Sequence, residues 1–172
     1  MSNATITWPG YANQTAATEE ATQEPQVVLA YPGEEEGIKA FGDEIFVHLG
    51  GAQTGGRFTA VTCITPPGSG PPPHVHNDED EWFIPLEGRV EFFLDGQWQE
   101  MPLNTLIFIP RGTVHTFRNC GDEPLKMMIH TSPSGFEVFF ARCAAEFAKP
   151  GPPDMGRIVE ISAEHGIHYV TE

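Results

Sequence analysis

The sequence predicts an all-β fold of the sandwich, jelly-roll or barrel class, with an arm before it and helices after it. Three observations carry this. Between Glu44 and Thr131 the chain breaks into short β-like runs divided by turn residues. Its 18 glycines and 16 prolines supply the turns that many short strands need. Only after Gly135 does the apolar spacing change to one suited to helices.

In chain order, residues 1–37 are polar and rich in Ala, Thr, Gln and Glu, with Pro9, Pro25 and Pro32 scattered among them. They read as an arm, either laid against a partner or left as a disordered tail, with QVVLAY (26–31) its one strand-like piece. Eight β-like runs follow. They are EIFVHLG (44–50), RFTAVTCIT (57–65), EWFIPLEG (81–88), RVEFFLDG (89–96), QWQEM (97–101), TLIFIP (105–110), VHTFRN (114–119) and PLKMMIHT (124–131). Each is rich in β-branched and aromatic residues and bounded by turn formers such as GGAQTGG, PPGSGPPP and CGDEP. The Asp-Gly pair at 95–96 is a hairpin signal. FEVFFARCAAEFAKPG (136–151) then has apolar residues at helical spacing and a Pro-Gly stop. DMGRIVEISAEHGI (154–167) reads as a second helix with a Gly166 cap.

The length of 172 residues suits one domain with a real core, and 40% hydrophobic against 19% charged residues suits a globular chain. Asp and Glu number 24 against 9 Lys and Arg, a formal net charge of −15. Such a field repels phosphate backbones and anionic membrane surfaces, so neither nucleic acid nor a membrane is expected as a partner. No apolar run is long enough to span a bilayer, and the N-terminus shows no secretory h-region. The three cysteines, Cys63, Cys120 and Cys143, lack CxxC spacing and read as inert thiols of a cytoplasmic protein.

The chemistry gathers in GPPPHVHNDEDEWFIPLEG (70–88), where two histidines precede four consecutive acids. Residues two apart on a strand share a face, so His74 and His76 offer two imidazoles side by side. The prolines before them stiffen the approach. Glu81 can turn its carboxylate to the same point, and His115 opens a later strand after a Pro-x-Gly turn. Three imidazoles and a carboxylate suit a divalent Fe, Mn, Ni, Co, Cu or Zn with a position left open. An isolated His-x-His carries little weight, and four acids in a row are by themselves a solvated turn. His48, His130, His165 and His168 have no comparable partners in the sequence and read as structural.

These residues resemble the cupin superfamily. Its first motif, G-x5-H-x-H-x3or4-E-x6-G, is met by Gly68, His74, His76, Glu81 and Gly88. Its second, G-x5-P-x-G-x2-H-x3-N, is met by Pro110, Gly112, His115 and Asn119, with Asn104 in place of the first glycine. Asn tolerates the left-handed conformation that a glycine supplies there. Only 15 residues lie between Gly88 and Asn104, as in compact microbial members. The resemblance implies a double-stranded β-helix of jelly-roll type: an arm at 1–37, the β-barrel at 38–134 and a helical extension at 135–172. It implies His74, His76, Glu81 and His115 as metal ligands. Asp80 competes with Glu81, which alone sets the spacing to Gly88, and the other acids are expected on an exposed lip.

The tail from TSPSGFEVFF to HGI is similar to that of bacterial single-domain cupins of the quercetin 2,3-dioxygenase type. The resemblance implies a dioxygenase acting on a flavonol-like or other aromatic compound, with O2 as co-substrate, Glu81 as general base and a homodimeric assembly. Two other readings stay open: another metallocupin enzyme (isomerase, decarboxylase or lyase), and a non-catalytic small-ligand-binding barrel. Strand alternation places Phe83, Phe117, Met127 and Ile129 as candidate pocket residues. No inward Arg or Lys is evident, which disfavours a sugar phosphate or oxalate as substrate.

Overall fold

A computed structural model describes residues 27–31, 37–94 and 96–170. Most of the arm therefore lies outside the described residues. The strand expected at 26–31 is corrected where it is described: Val27 to Tyr31 are exposed and in no strand, with Val27 at 93%. No sheet edge pairs with this segment among the described residues, and an unpaired strand has no ladder to hold it.

The elements run β1 (Ile38–Ala40), β2 (Asp43–Leu49), α1 (Gly51–Thr54), β3 (Thr59–Thr65), β4 (His74–His76), β5 (Asp80–Glu87), β6 (Val90–Leu94) and β7 (Gln97–Met101). Then come β8 (Ile107–Ile109), β9 (Thr116–Asn119), β10 (Leu125–Ser132), α2 (Phe136–Phe147), α3 (Met155–Glu164) and β11 (Ile167–Tyr169). The GGAQTGG divider is thus a helical turn rather than open loop. The Thr54 hydroxyl donates to Gly50 O at 3.0 Å and left-handed Gly55 ends the turn.

Six strands form one antiparallel sheet in the order β1-β2-β3-β10-β5-β8. Opposite lie β7-β6-β9 and β11-β4, joined by a bridge between His74 and His115. The arrangement is a jelly-roll β-sandwich. Alternation explains the core: on β10, Leu125, Met127, Ile129 and Thr131 are buried, with partly exposed residues between them. Register lines Thr131 up with Thr59 and Glu81, and Ile129 with Val61 and Phe83. Phe83, Phe92, Leu125 and Met127 fill the interior with almost no exposed surface.

The helix expected from Phe136 forms, and buries Phe136, Phe139 and Phe140 against β1, β3 and α3. The second helix stops earlier than its expected span of 154–167. It ends at Glu164, and Gly166 turns the chain at φ 70° so that Ile167–Tyr169 pairs with β4. A side chain on Gly166 would stand 2.3 Å from Asp78 Oδ2, a carboxylate that can swing aside, so it is the left-handed backbone that calls for glycine here. Among the described residues no helix is long and apolar enough to cross a membrane.

Candidate metal centre

Several local devices bring the site together. On β4, His74 and His76 both point inward while Val75 is half-buried on the other face. His115 reaches them because its backbone exchanges two hydrogen bonds with His74, at 2.9 and 3.0 Å. The turn before it is stitched down as well, Gly112 N donating to His76 O at 2.7 Å. Asn104, in the glycine's place, does adopt φ 64°. Gly70 starts the approach to β4, where a Cβ would lie 2.0 Å from Phe117 O; its need for no side chain was not visible in the sequence.

Glu81 faces the three imidazoles from β5. One ligand atom from each of His74, His76, Glu81 and His115 lies within 4.8 Å of the others, and all four residues are buried. Opposite ligands of one first-row ion stand about 4.2–4.6 Å apart, so small adjustments close the set. Asp80 is not among them: its carboxylate meets Arg111, with Nη2 to Oδ2 at 2.9 Å and the Arg111 backbone N–H at 3.0 Å. Strand alternation explains the choice, because Asp80 and Glu81 leave β5 on opposite faces.

Each imidazole is held by its Nδ1. His74 donates to Pro72 O (2.9 Å), His115 to Thr113 O (3.0 Å) and His76 to Glu79 Oε2 (3.0 Å). A carbonyl oxygen only accepts, so Nδ1 carries the proton in His74 and His115, and a neutral ring then offers its Nε2 lone pair inward. These lone pairs face a carboxylate: Glu81 Oε2 is 3.1 Å from His115 Nε2 and 3.3 Å from His76 Nε2. His76 Nε2 is buried and makes no hydrogen bond. Lone pair against lone pair is repulsive, and a cation between them removes the repulsion. The donor set fits a divalent first-row ion.

The charges follow the same geometry. Burial, then the neighbouring His115, pushes His74 down to about 4. Burial pushes Glu81 up, but the imidazoles beside it, His115 first, favour its charge whenever they carry a second proton and bring it below the usual carboxylate range. Burial alone would lower His76, yet Glu79 and Glu81 together raise it. Glu79, expected on an exposed lip, is in fact buried and orients His76. His48, His130, His165 and His168 lie outside the group.

Beside the four ligands a cavity of about 350 Å³ opens. Phe83, Phe117 and Ile129 line it as expected, but Met127 does not. Met127 sits two residues further along β10, opposite Cys63 and Pro85, and is consumed by core packing. Sequence reasoning missed the opposite wall: Phe136, Phe139, Phe140 and Phe147 of α2, Met155 of α3, and Ile167 and Tyr169 of β11. Among the described residues no lysine or arginine lines the cavity. Cys63 does, but burial raises its thiol well above the ordinary range, as it raises Cys143 to about 12.

Residues 61–131 match the cupin domain family Cupin_2, a stretch that contains all four candidate ligands and ends before α2. The chain is 37% identical over 71 residues to polyketide synthase CurC of Streptomyces cyaneus, covering 41% of this chain and 46% of that one. It is 32% identical over 87 residues to quercetin 2,3-dioxygenase of Bacillus subtilis (strain 168), covering 51% and 26%. The chain thus spans half or less of the length of both curated relatives. Among solved structures, polyketide cyclase RemF of Streptomyces resistomycificus superposes with TM-score 0.56 at 19% identity, over 63% of this chain and 81% of that one. At that identity the likeness is one of fold.

Proposed function

The chain carries a cupin domain over residues 61–131, and from that premise we propose that it is a metal-dependent cupin dioxygenase acting on a flavonol-like or related aromatic compound. The reading takes the two layers to close into the double-stranded β-helix barrel that the motifs imply. One observation supports it above all: four buried ligand atoms converge, and three of their residues, His74, His76 and Glu81, line an aromatic-walled cavity without a cationic side chain among the described residues. An anionic sugar phosphate or oxalate would have nothing to pair with there, whereas a flat, weakly charged ring finds apolar faces.

His74, His76, Glu81 and His115 would hold the ion. A bound first-row ion would supply the Lewis acidity that lowers the pKa of a substrate hydroxyl. Glu81 accepts the hydroxyl proton at Oε2, the oxygen already within 3.1 Å of His115 Nε2. The Nδ1 hydrogen bonds keep the three rings aimed while that proton moves. The phenylalanine wall of α2 excludes water from the reacting end, with Phe136 5.5 Å from His76 between ring centroids.

A second reading, a metallocupin lyase or cyclase for an aromatic polyketide, is favoured by the similarity to the Streptomyces cyaneus protein and by the same apolar cavity. Elemental analysis of protein purified without added metal is expected to find one first-row ion per chain, and flavonols are expected to trigger O2 consumption. Metal-free preparations that bind none when offered it would sink both readings. Metal without O2 uptake leaves the second. Ligand-dependent stabilisation with no turnover of any kind points to a non-catalytic binding barrel.

A further inference from the structure

The β1–β2 hairpin ends in an unusual turn. Ala40 pairs with Asp43, so Phe41 and Gly42 form a two-residue loop, and both have positive φ, 58° and 87°. Such turns favour Asn, Asp or Gly at the first position, and a phenylalanine there is strained. Packing holds it: the Phe41 ring lies 5.9 Å from Phe139, stacked, and 5.2 Å from Phe147, edge-on. Strain of this kind persists where the surroundings over-determine it, and ligand clamps are such places.

The turn sets two chemistries at one end of the cavity, since Phe41 and Asp43 both line it. That end is remote from the metal ligands. Helix α2 runs between the two, starting at Phe136 beside His76 and finishing at Phe147 beside Phe41. Along the sheet, Asp43 lies beyond the Ile45–Cys63 pair, at the Thr65 end of β3, whereas Glu81 aligns with Thr131 and Thr59 at the other. Asp43 has no ion-pair partner among the described residues, and the buried Thr65 hydroxyl next to it makes no well-formed hydrogen bond. Among the described residues it is the one carboxylate of the cavity wall besides Glu81.

We infer that Asp43 is a substrate-anchoring residue, accepting a hydrogen bond from a phenolic hydroxyl carried on the ligand ring farthest from the metal-bound end, while Phe41 and Phe147, packed edge-on against each other, wall that ring on one side. The inference rests on the metal-centred reading above and deepens it: the ligand is a flat aromatic with a hydroxyl at each end. Burial has already pushed the Asp43 carboxyl up to about 6 against the pull of the Thr65 hydroxyl, so one neighbouring donor does not offset the lost hydration of its charge. A hydroxyl arriving there regains a charge-assisted hydrogen bond.

The test compares 3-hydroxyflavone with its 4′- and 7-hydroxylated derivatives, by calorimetric titration into the metal-loaded full-length protein. At least one hydroxylated derivative is expected to bind about ten- to a hundredfold more tightly than the parent, the value of one hydrogen bond to a charged group. In Asp43→Ala that advantage should fall to within about twofold while the parent binds as before. Asp43→Asn, which keeps the shape and one acceptor, should fall between. Equal binding of all three ligands to wild type, an advantage that survives in Asp43→Ala, parallel loss of parent binding, or no binding of any of the three would each overturn the inference. The same titrations on chelator-treated protein read the metal centre separately. If 3-hydroxyflavone ignores the metal, that reading fails while the preference at Asp43 stays measurable.

Discussion

Glu81 and the histidines around it divide one site into separable roles. Glu81→Gln keeps an oxygen that can ligate weakly but cannot take a proton. It is expected to lower metal content modestly and turnover about 10²–10⁴-fold. His74→Ala and His115→Ala should instead yield protein without metal, read by elemental analysis. Wild-type turnover in Glu81→Gln would remove the general-base role. Asp43 gives a pH-dependent prediction. In the unfolded chain it titrates near its ordinary 3.8, and in the folded protein near 6, because burial opposes its charge more than the Thr65 hydroxyl favours it. Between those values the native state holds a proton that the unfolded chain releases. Stability from the neutral carboxyl is therefore full below 3.8 and lost as pH rises through about 6. Asp43→Asn should melt above wild type at pH 8 and close to it at pH 4. Identical melting at pH 8 would mean the buried charge costs nothing.

Besides its phenylalanines, one buried carboxylate ties the start of helix α2 to the sandwich. Glu137 accepts from Gly51 N at 2.7 Å, from Gly135 N at 3.0 Å and from the Thr59 hydroxyl. It thereby ties α1, β3 and the start of α2 to one point, next to Phe136 and the metal centre. Glu137→Ala leaves the Gly51 N–H and the Thr59 hydroxyl short of an acceptor and Gly135 N–H with only its longer contact to Thr59 Oγ1, at a cost of about 2–3 kcal/mol. A melting temperature lowered by several degrees, with the metal ligands themselves intact, is the expected result. Unchanged melting would show that water replaces the carboxylate. The two ends of the extension do different work: α2 walls the cavity, and β11 lies against β4 so that Ile167 backs His76 and Tyr169 backs His74.

On the whole molecule, the outer face of the six-stranded sheet carries apolar surface that a lone chain leaves wet. Leu106 and Phe108 are 64% and 51% exposed, and Phe108 packs on Trp82 with ring centroids 5.2 Å apart. Such patches mark association surfaces, and closed two-fold symmetry is the commonest way to cover one. A homodimer is the expected state in light scattering at tens of micromolar, where a monomer would refute it. A chain lacking residues 1–37 separates the two ways of joining: a dimer that persists rests on the sheet face, and one that falls apart rests on the arm.

How much of this was legible beforehand depended on the range of the interaction. The eight β-like runs are eight of the observed strands, because alternation and turn residues act within a few positions of the chain. The ligand group was legible because its spacing is set by two local motifs, and Asn104 at φ 64° shows a turn requirement met by an unusual residue. The sequence by itself thus determined eight of the described strands, most of the turns between them and the four side chains that converge. Tertiary structure alone decided that Glu79 is drawn inside to orient His76, that Gly70 must be bare beneath Phe117, that Met127 is spent on the core, and that α2 and β11 return to wall the cavity. Each of these depends on which distant segment arrives alongside. A chain's local pattern sets which face a residue presents, and only packing sets what that face meets.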